Sequence, residues 1–323
     1  KFYNLVFRDL AHKLWGDPKT LSEELGRRRV PVPNIFSLVS NMISGTKNRP
    51  DVSAKYFYYP KKGYGFICDK FMEVIEGKKG KILNNSTPSK VNIKDNKVVS
   101  VEYKDKRNTT VKTDYLVSSI PLIDLINLLS PKAPEYVVEA AEKLRFRSLT
   151  LLYVFADKDR IIKDNWYFYP EKEFIFNRVC ELNSFSPYTI PKGKACITVE
   201  VTSDKNDPFF KLEDEKVFER VIIDLEKAGV IKKEEVKDYI VRRAGRVYPV
   251  YDLDFRKNLD IILKYLFKIE NLLTIGRQGL FNYNNADHCI DMSIKSADFI
   301  INKKPREEWW KLLDYFDNYK IVD

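Results

Sequence analysis

Two short apolar segments, each delivering the chain into a helix, limit what this sequence can fold into more than any other feature. Asp114-Tyr-Leu-Val-Ser-Ser-Ile-Pro121 reads as a strand followed by a helix over 122–129. Asn271-Leu-Leu-Thr-Ile-Gly276 reads as a second buried strand with a helix following over 286–302. Strands that feed helices build a layered, largely parallel α/β sheet, because parallel neighbours need a crossover between them. Here the two halves of that layer are separated by strand-rich chain. Strand-like segments recur at 148–156, 166–169, 179–182 and 195–202, and a helix over 212–228 carries Val217, Phe218, Val221, Ile222 and Leu225 on one face. An α/β domain interrupted by a second, antiparallel sheet domain is the predicted fold class, an arrangement in which a nucleotide-binding domain hosts a substrate domain.

Punctuation along the chain supplies the boundaries. Residues 1–28 have helical period, broken at Gly16-Asp17-Pro18 and restarted behind Thr20 or Ser22, and Arg27-Arg28-Arg29 suits a helix C-terminus. Pro31 and Pro33 then enforce extended chain. A helix is predicted over 66–76, strands at 81–83, 90–93, 98–103 and 110–113 with a turn at Asp95-Asn96-Lys97, a short helix near 232–237 and an amphipathic helix over 307–317. The predicted divisions are a helical subdomain at 1–55, an α/β-layer part with a β-meander at 56–146, an antiparallel sheet with helices at 147–245, and the remainder of the layer with a terminal helix at 246–323.

Composition removes several function classes. The net charge is +10, but 46 acidic residues are interspersed and no run of five basic residues occurs, so a nucleic-acid partner is not expected. No apolar run approaches the roughly 20 residues of a membrane span, and Lys1-Phe2-Tyr3-Asn4 begins no secretory leader. The four cysteines are far apart, which suits reduced thiols and a cytoplasmic location. With only His12 and His288, neither a zinc site nor a Ser-His-Asp triad is supported.

Candidate site residues sit at element ends. Gly276-Arg277-Gln278-Gly279 follows the second buried strand, where ligands bind in open α/β sheets and glycine permits close backbone approach; an ordinary strand-to-helix turn has the same spacing. Gly63-Tyr64-Gly65 is a weaker example of the same kind. Arg178, in Phe176-Asn177-Arg178, is either a bidentate phosphate ligand or a surface charge on a strand. Tyr248-Pro249 and Tyr283 read as half-buried tyrosines, and Asp287-His288 as a helix start. No GxGxxG and no GxxxxGK[ST] occurs in the 323 residues.

Taken in order, these segments resemble the UDP-galactopyranose mutase and protoporphyrinogen oxidase superfamily of flavoproteins. Lys13-Leu14-Trp15-Gly16 and Arg29-Val30-Pro31-Val32-Pro33-Asn34 are similar to its "K-x-W-G" and "R-[IV]" followed by a proline turn. Phe57-Tyr58-Tyr59-Pro60-Lys61-Lys62-Gly63-Tyr64-Gly65 is similar to "F-x-x-P-x-x-G" before a long helix. Trp166-Tyr167-Phe168-Tyr169-Pro170, Phe176-Asn177-Arg178 and Asn183-Ser184-Phe185-Ser186-Pro187 resemble "W-x-Y-F-P", "F-Y-R" and "F-S-N-Y-S-P" of the eukaryotic-type mutases. Tyr248-Pro249, then Gly276-Arg277 with Gly279 and Tyr283, then Asp287-His288 resemble "Y-P" and "G-R-x-G-x-x-x-Y … D-H".

The resemblance implies an FAD/NAD(P)-binding, Rossmann-like domain, incomplete here, and a bound FAD. It also implies a small-molecule substrate of UDP-sugar type, with the N5 of reduced flavin as nucleophile in a mutase reaction. The alternative it carries is an oxidase or dehydrogenase of the amine oxidase or protoporphyrinogen oxidase type. By the same resemblance Arg29, Asn34, Phe168, Arg178, Tyr248 and Tyr283 are substrate-binding, and Gly63, Gly65, Gly276, Arg277, Gly279, Asp287 and His288 are cofactor-binding. The departures are the missing GxGxxG unit, Phe168 where mutases prefer Tyr, and Ala286 in place of a polar residue.

Overall fold

The computed structural model describes residues 8–29, 58–105, 107–319 and 321. The chain divides into two compact units. The first comprises Lys1–Thr20, Phe57–Leu83 and Phe146–Tyr248; the second comprises Leu21–Tyr56, Asn84–Arg145 and Pro249–Asp323. The segment 57–83 therefore belongs with the inserted sheet, whereas the sequence reading placed it with the α/β layer. Its helix, Gly65–Gly77, buries none of its residues.

The first unit is built on a five-stranded sheet. Its strands are β6 (Phe146–Ala156), β7 (Trp166–Phe168), β8 (Arg178–Glu181), β9 (Ala195–Ser203) and β10 (Val236–Pro249), in the order β10-β6-β9-β8-β7. Side chains alternate along each strand. Leu152, Val154, Val179, Ile197, Val199 and Val201 form one core with Val217, Phe218, Val221, Ile222 and Leu225 of the helix Asp214–Lys227, the apolar stripe expected from its period. One face of the sheet is thereby covered by that helix. The helix expected at 232–237 is a single 3-10 turn, Lys233–Glu235, that runs directly into the 14-residue strand β10.

The break at Gly16–Pro18 separates two helices, Arg8–Trp15 and Glu23–Arg29, as expected. Lys13 ties the first to the β7–β8 connection: its Nζ donates to Tyr169 O at 2.7 Å and to Phe176 O at 2.8 Å. Burial pushes this ammonium down from 10.5 to about 8, against the pull of Glu171, Asp224 and Asp9. A lysine whose folded pKa lies below its unfolded value disfavours the fold while both states are protonated. That cost is fully present below about pH 8 and fades as pH rises towards 10.5. The natural chain is therefore expected to gain stability relative to Lys13→Met between pH 8 and pH 10, by on the order of 1 kcal/mol after screening of a half-exposed group. Urea melts of both proteins at several pH values check this. A constant difference would remove Lys13 as the cause.

The second unit contains the meander β1 (Thr87–Lys94), β2 (Lys97–Lys104) and β3 (Asn108–Lys112), with the two-residue β5 (Leu129–Ser130) parallel to β1. Asp95 and Asn96 both have positive φ, at 51° and 57°, so the β1–β2 loop is the type I′ turn that their residue types favour. Beside the meander lies the parallel pair β4 (Leu116–Ser118) and β11 (Leu272–Thr274), in register Leu272↔Leu116 to Thr274↔Ser118. Buried Asn271 stitches the two together. Its Oδ1 accepts from Val98 N, and its Nδ2 donates to Val98 O and to Asp114 O. On the outer edge of β11, Leu272 O accepts from Arg306, whose Nε also donates to the end carbonyl Phe267 O of the helix Phe255–Phe267. Among the described residues three α-helices, Glu135–Lys143, Phe255–Phe267 and the single turn Gly276–Gly279, come in addition to the predicted ones, and residues 81–83 form no strand. Leu273, Leu280, Met292, Phe299, Trp309 and Phe316 make the core under the terminal helices Ala286–Ile301 and Arg306–Asp317.

Candidate functional site

In the first unit, alternation places a second set of side chains on the sheet face away from the helix Asp214–Lys227. Cross-strand register sets Phe168, Arg178, Glu200 and Leu151 side by side across β7, β8, β9 and β6. Trp166, Cys180, Thr198 and Tyr153 form the adjacent row. Trp166 and Phe168 are 41% and 49% exposed, so the β7 end of this face is an open aromatic surface. Trp166 stacks on Phe185 at 5.8 Å with 17° between the rings, and Phe185 lies 5.2 Å from Tyr59.

Arg178 stands at the centre of this arrangement. Its guanidinium lies 5.9 Å from the centroid of Phe168 and pairs with the Glu200 carboxylate at 2.5 Å through one nitrogen, while its buried Nε has no hydrogen-bond partner among the described residues. Burial works against the cation, but Glu200, with smaller help from Cys180 and Tyr248, outweighs it and raises the pKa. Arg178 is thus a held, half-buried cation and not the loose strand charge of the alternative reading. Burial raises the pKa of the nearby Cys180 thiol and pushes that of Cys196 up to about 12, which disfavours the thiolate at both.

Gly63 and Gly65 lie in this first unit as well. Gly63 (φ 92°) forms the turn before the helix Gly65–Gly77, and a Cβ there would meet Thr189 Cγ2 at 3.5 Å. Ser186 Oγ donates to Lys61 O at 2.6 Å, holding that turn to the 185–189 loop. Tyr248 sits in β10 of the same unit.

The other expected residues are in the second unit. Gly276 (φ 80°) ends the β11 segment, and its N–H points to Met292 Sδ at 3.1 Å. A Cβ added to Gly276 meets nothing closer than Ser119 Cβ at 3.8 Å, so the backbone leaves room there. A Cβ on Gly279 would stand 2.8 Å from Ser118 O, so this glycine is required for the turn to pack on the end of β4. Arg277 donates to Asn284 O from Nε and from a terminal nitrogen. His288 closes the start of its helix by accepting from Asn285 N at 3.1 Å, and its ring stacks on Tyr319 at 4.4 Å. Asp287 is largely exposed, 3.8 Å from His288 Nε2. Tyr283 is 2% exposed; its N–H donates to Tyr251 Oη, and burial pushes that phenol up to about 12.

Arg29 is the last residue of the helix Glu23–Arg29, and its side chain lies outside the described residues, as does Asn34 altogether. The neighbouring Arg28 is the structural hub, bonded to Glu24, Asn282 and Asp317 and stacked over Tyr251 at 5.4 Å. Sequence reasoning passed over Glu200. Its signal is present in Ala195–Ser203, where it is the only charged residue of a fully buried strand.

Among the described residues no group of His, Cys, Asp and Glu is arranged to hold a metal, and no helix is long and apolar enough to cross a membrane. A cavity of about 140 Å³ between the helices Phe255–Phe267 and Arg306–Asp317, lined by Leu259, Leu263, Trp310 and Leu313, is below the roughly 300 Å³ at which ligand pockets begin.

Residues 34–248 match the family of flavin-containing amine oxidoreductases. Among curated proteins no match is found. Among solved structures, reduced UDP-galactopyranose mutase aligns with a TM-score of 0.74 at 17% identity, covering 94% of this chain and 64% of that one. A putative protoporphyrinogen oxidase from Exiguobacterium sp. 255-15 aligns at 0.58 and 17%, covering 81% and 54%. An oxidoreductase from Methanosarcina mazei aligns at 0.53 and 18%, covering 86% and 60%. The chain thus spans less than two thirds of the length of each of these structures.

Proposed function

The chain belongs to the flavin-containing amine oxidoreductase family, whose cofactor is FAD, and from that premise we propose that it serves an FAD-dependent isomerase, mutase-like, that binds a nucleotide diphosphate sugar at the exposed β7 end of the five-stranded sheet. One observation carries this reading. A held guanidinium, Arg178, lies against Phe168, one row from the Trp166–Phe185 aromatic stack. A planar cation suits a diphosphate, and adjacent aromatic faces suit a planar base. In this reading Phe168, Arg178 and Tyr248 bind substrate.

Gly276 leaves space beside the end of a buried strand, which suits the ring end of a flavin. Arg277, in the turn Gly276–Gly279, and Asp287 and His288, in the first turn of the helix Ala286–Ile301, are its proposed contacts together with Gly279. Bound there, the flavin would supply the nucleophilic or redox chemistry, and the protein would bind, orient and neutralise.

A second reading, oxidation of an amine, draws on Glu200, because a carboxylate beside exposed aromatic rings suits an ammonium group. Arg178→Lys separates the two. A point charge cannot replace the planar fork, so UDP affinity is expected to fall roughly tenfold or more, in line with the ~1.5–3 kcal/mol of a charge-assisted bond. Calorimetric titration with UDP reads this directly. Unchanged affinity would sink the diphosphate role of Arg178 and leave the amine reading in front.

A further inference from the structure

Lys13 joins two parts of the first unit that no strand pairing joins. Its main chain is fixed to the middle of the sheet: Arg147 of β6 donates from Nη2 to Lys13 O and to Thr202 O of β9, and pairs with Asp204 at 2.8 Å. Its side chain reaches the sheet edge, where Nζ donates to Tyr169 O and Phe176 O, carbonyls near the two ends of the β7–β8 connection. The two sides of that connection differ in how else they are held. The start of β8 is anchored from within, because Asn177 N donates to Glu200 O, Asn177 Oδ1 accepts from Thr202 N and Oγ1, and Phe176 is fully buried. β7 has three residues and, among the described residues, pairs with β8 alone. A short edge strand with one neighbour is the part of a sheet that opens most easily. Tyr169, the residue after it, rests its ring on Phe174 and Phe176, so what Lys13 adds is a hold on the main chain. The ammonium is kept there although burial disfavours its charge, and stability is given up in this way mostly at functional sites.

We propose that Lys13 is a positioning residue: by fixing the main chain at the end of β7 it holds Phe168 and Trp166 where a base can stack beside a diphosphate on Arg178. This rests on the nucleotide reading above and deepens it. Arg178 itself depends little on the tie, since the start of β8 is bonded to β9. The loss of Lys13 is therefore felt by the base and not by the phosphates.

The test is calorimetric titration of the 323-residue chain with UDP and with inorganic pyrophosphate, which lacks a base. In Lys13→Met the affinity for UDP should fall roughly fivefold or more, the lower end of what a stacked base contributes, while that for pyrophosphate stays unchanged. Lys13→Arg, which can still donate to both carbonyls, should restore UDP affinity. In a Phe168→Ala background Lys13→Met should cost little further UDP affinity, because the two residues then act through one contact. Unchanged UDP affinity in Lys13→Met, or an equal loss for both ligands, overturns the role of Lys13 while leaving the nucleotide reading intact. Failure of the natural chain to bind UDP overturns both. If pyrophosphate binds too weakly to measure, the Phe168→Ala background decides, and if Lys13→Met does not fold, Lys13→Gln is read in the same way.

Discussion

A polypeptide of these 323 residues is expected to purify colourless, without the visible absorbance of a flavin, and to self-associate. The pyrophosphate of a dinucleotide is normally gripped by backbone N–H groups at a helix start, reached through a glycine-rich turn. No GxGxxG exists in these residues. The start of the helix Ala286–Ile301 is already closed by Asn285 and His288, and Arg277 is already engaged by Asn284 O. What remains suits the ring end of FAD alone. Self-association follows from the surface. The helix Ala286–Ile301 exposes Ile290, Ile294 and Ile301 at 40%, 62% and 76%, spaced to share one side of the helix. Among the described residues the β4–β11 pair has no third strand. A longer polypeptide supplying a strand–GxGxxG–helix unit should be yellow and better behaved. Absorbance spectra and sedimentation of both proteins are the measurement. Stoichiometric FAD on the 323-residue chain would mean that the pyrophosphate is held by residues not identified above.

The second large effect is expected at Asn271. Replacing it by leucine, of nearly equal size, should cost about 3 kcal/mol or more, because it leaves Val98 N, Val98 O and Asp114 O, all bonded by one buried side chain, without their partner. Each stranded group carries its own desolvation penalty, and three are concentrated where the meander meets the parallel pair. The urea midpoint should drop with an unchanged slope. A loss below 1 kcal/mol would mean that water replaces the amide there.

The same two residues show where sequence reading succeeds and where it stops. Asn271 was legible as the start of a buried strand, and Gly276 as the end of one, because both readings rest on neighbours a few positions away. That Asn271 reaches Val98, 173 residues earlier, has no local signature. Strand β10, whose charged residues and Gly245 hide its period, was missed for the opposite reason: it is held by its neighbour β6 and not by its own pattern. The segment 57–83 reads as part of an α/β layer from its glycine turn and helix, yet it belongs to the unit of the inserted sheet.

At the candidate site the division is the same. Phe168 and Arg178 were visible as residue types in motifs, in a stretch legible as strand-rich. Their adjacency, and the carboxylate of Glu200 beneath the guanidinium, depend on the β7–β8–β9 register. By itself the sequence determined the elements, their order and the chemical types available, since periodicity, turns and caps act over a turn of helix or a few residues of strand. Only the tertiary structure decided which of those groups share a face and which charge meets which. A one-residue slip in register would turn every side chain of a strand to the other side, and nothing local forbids it.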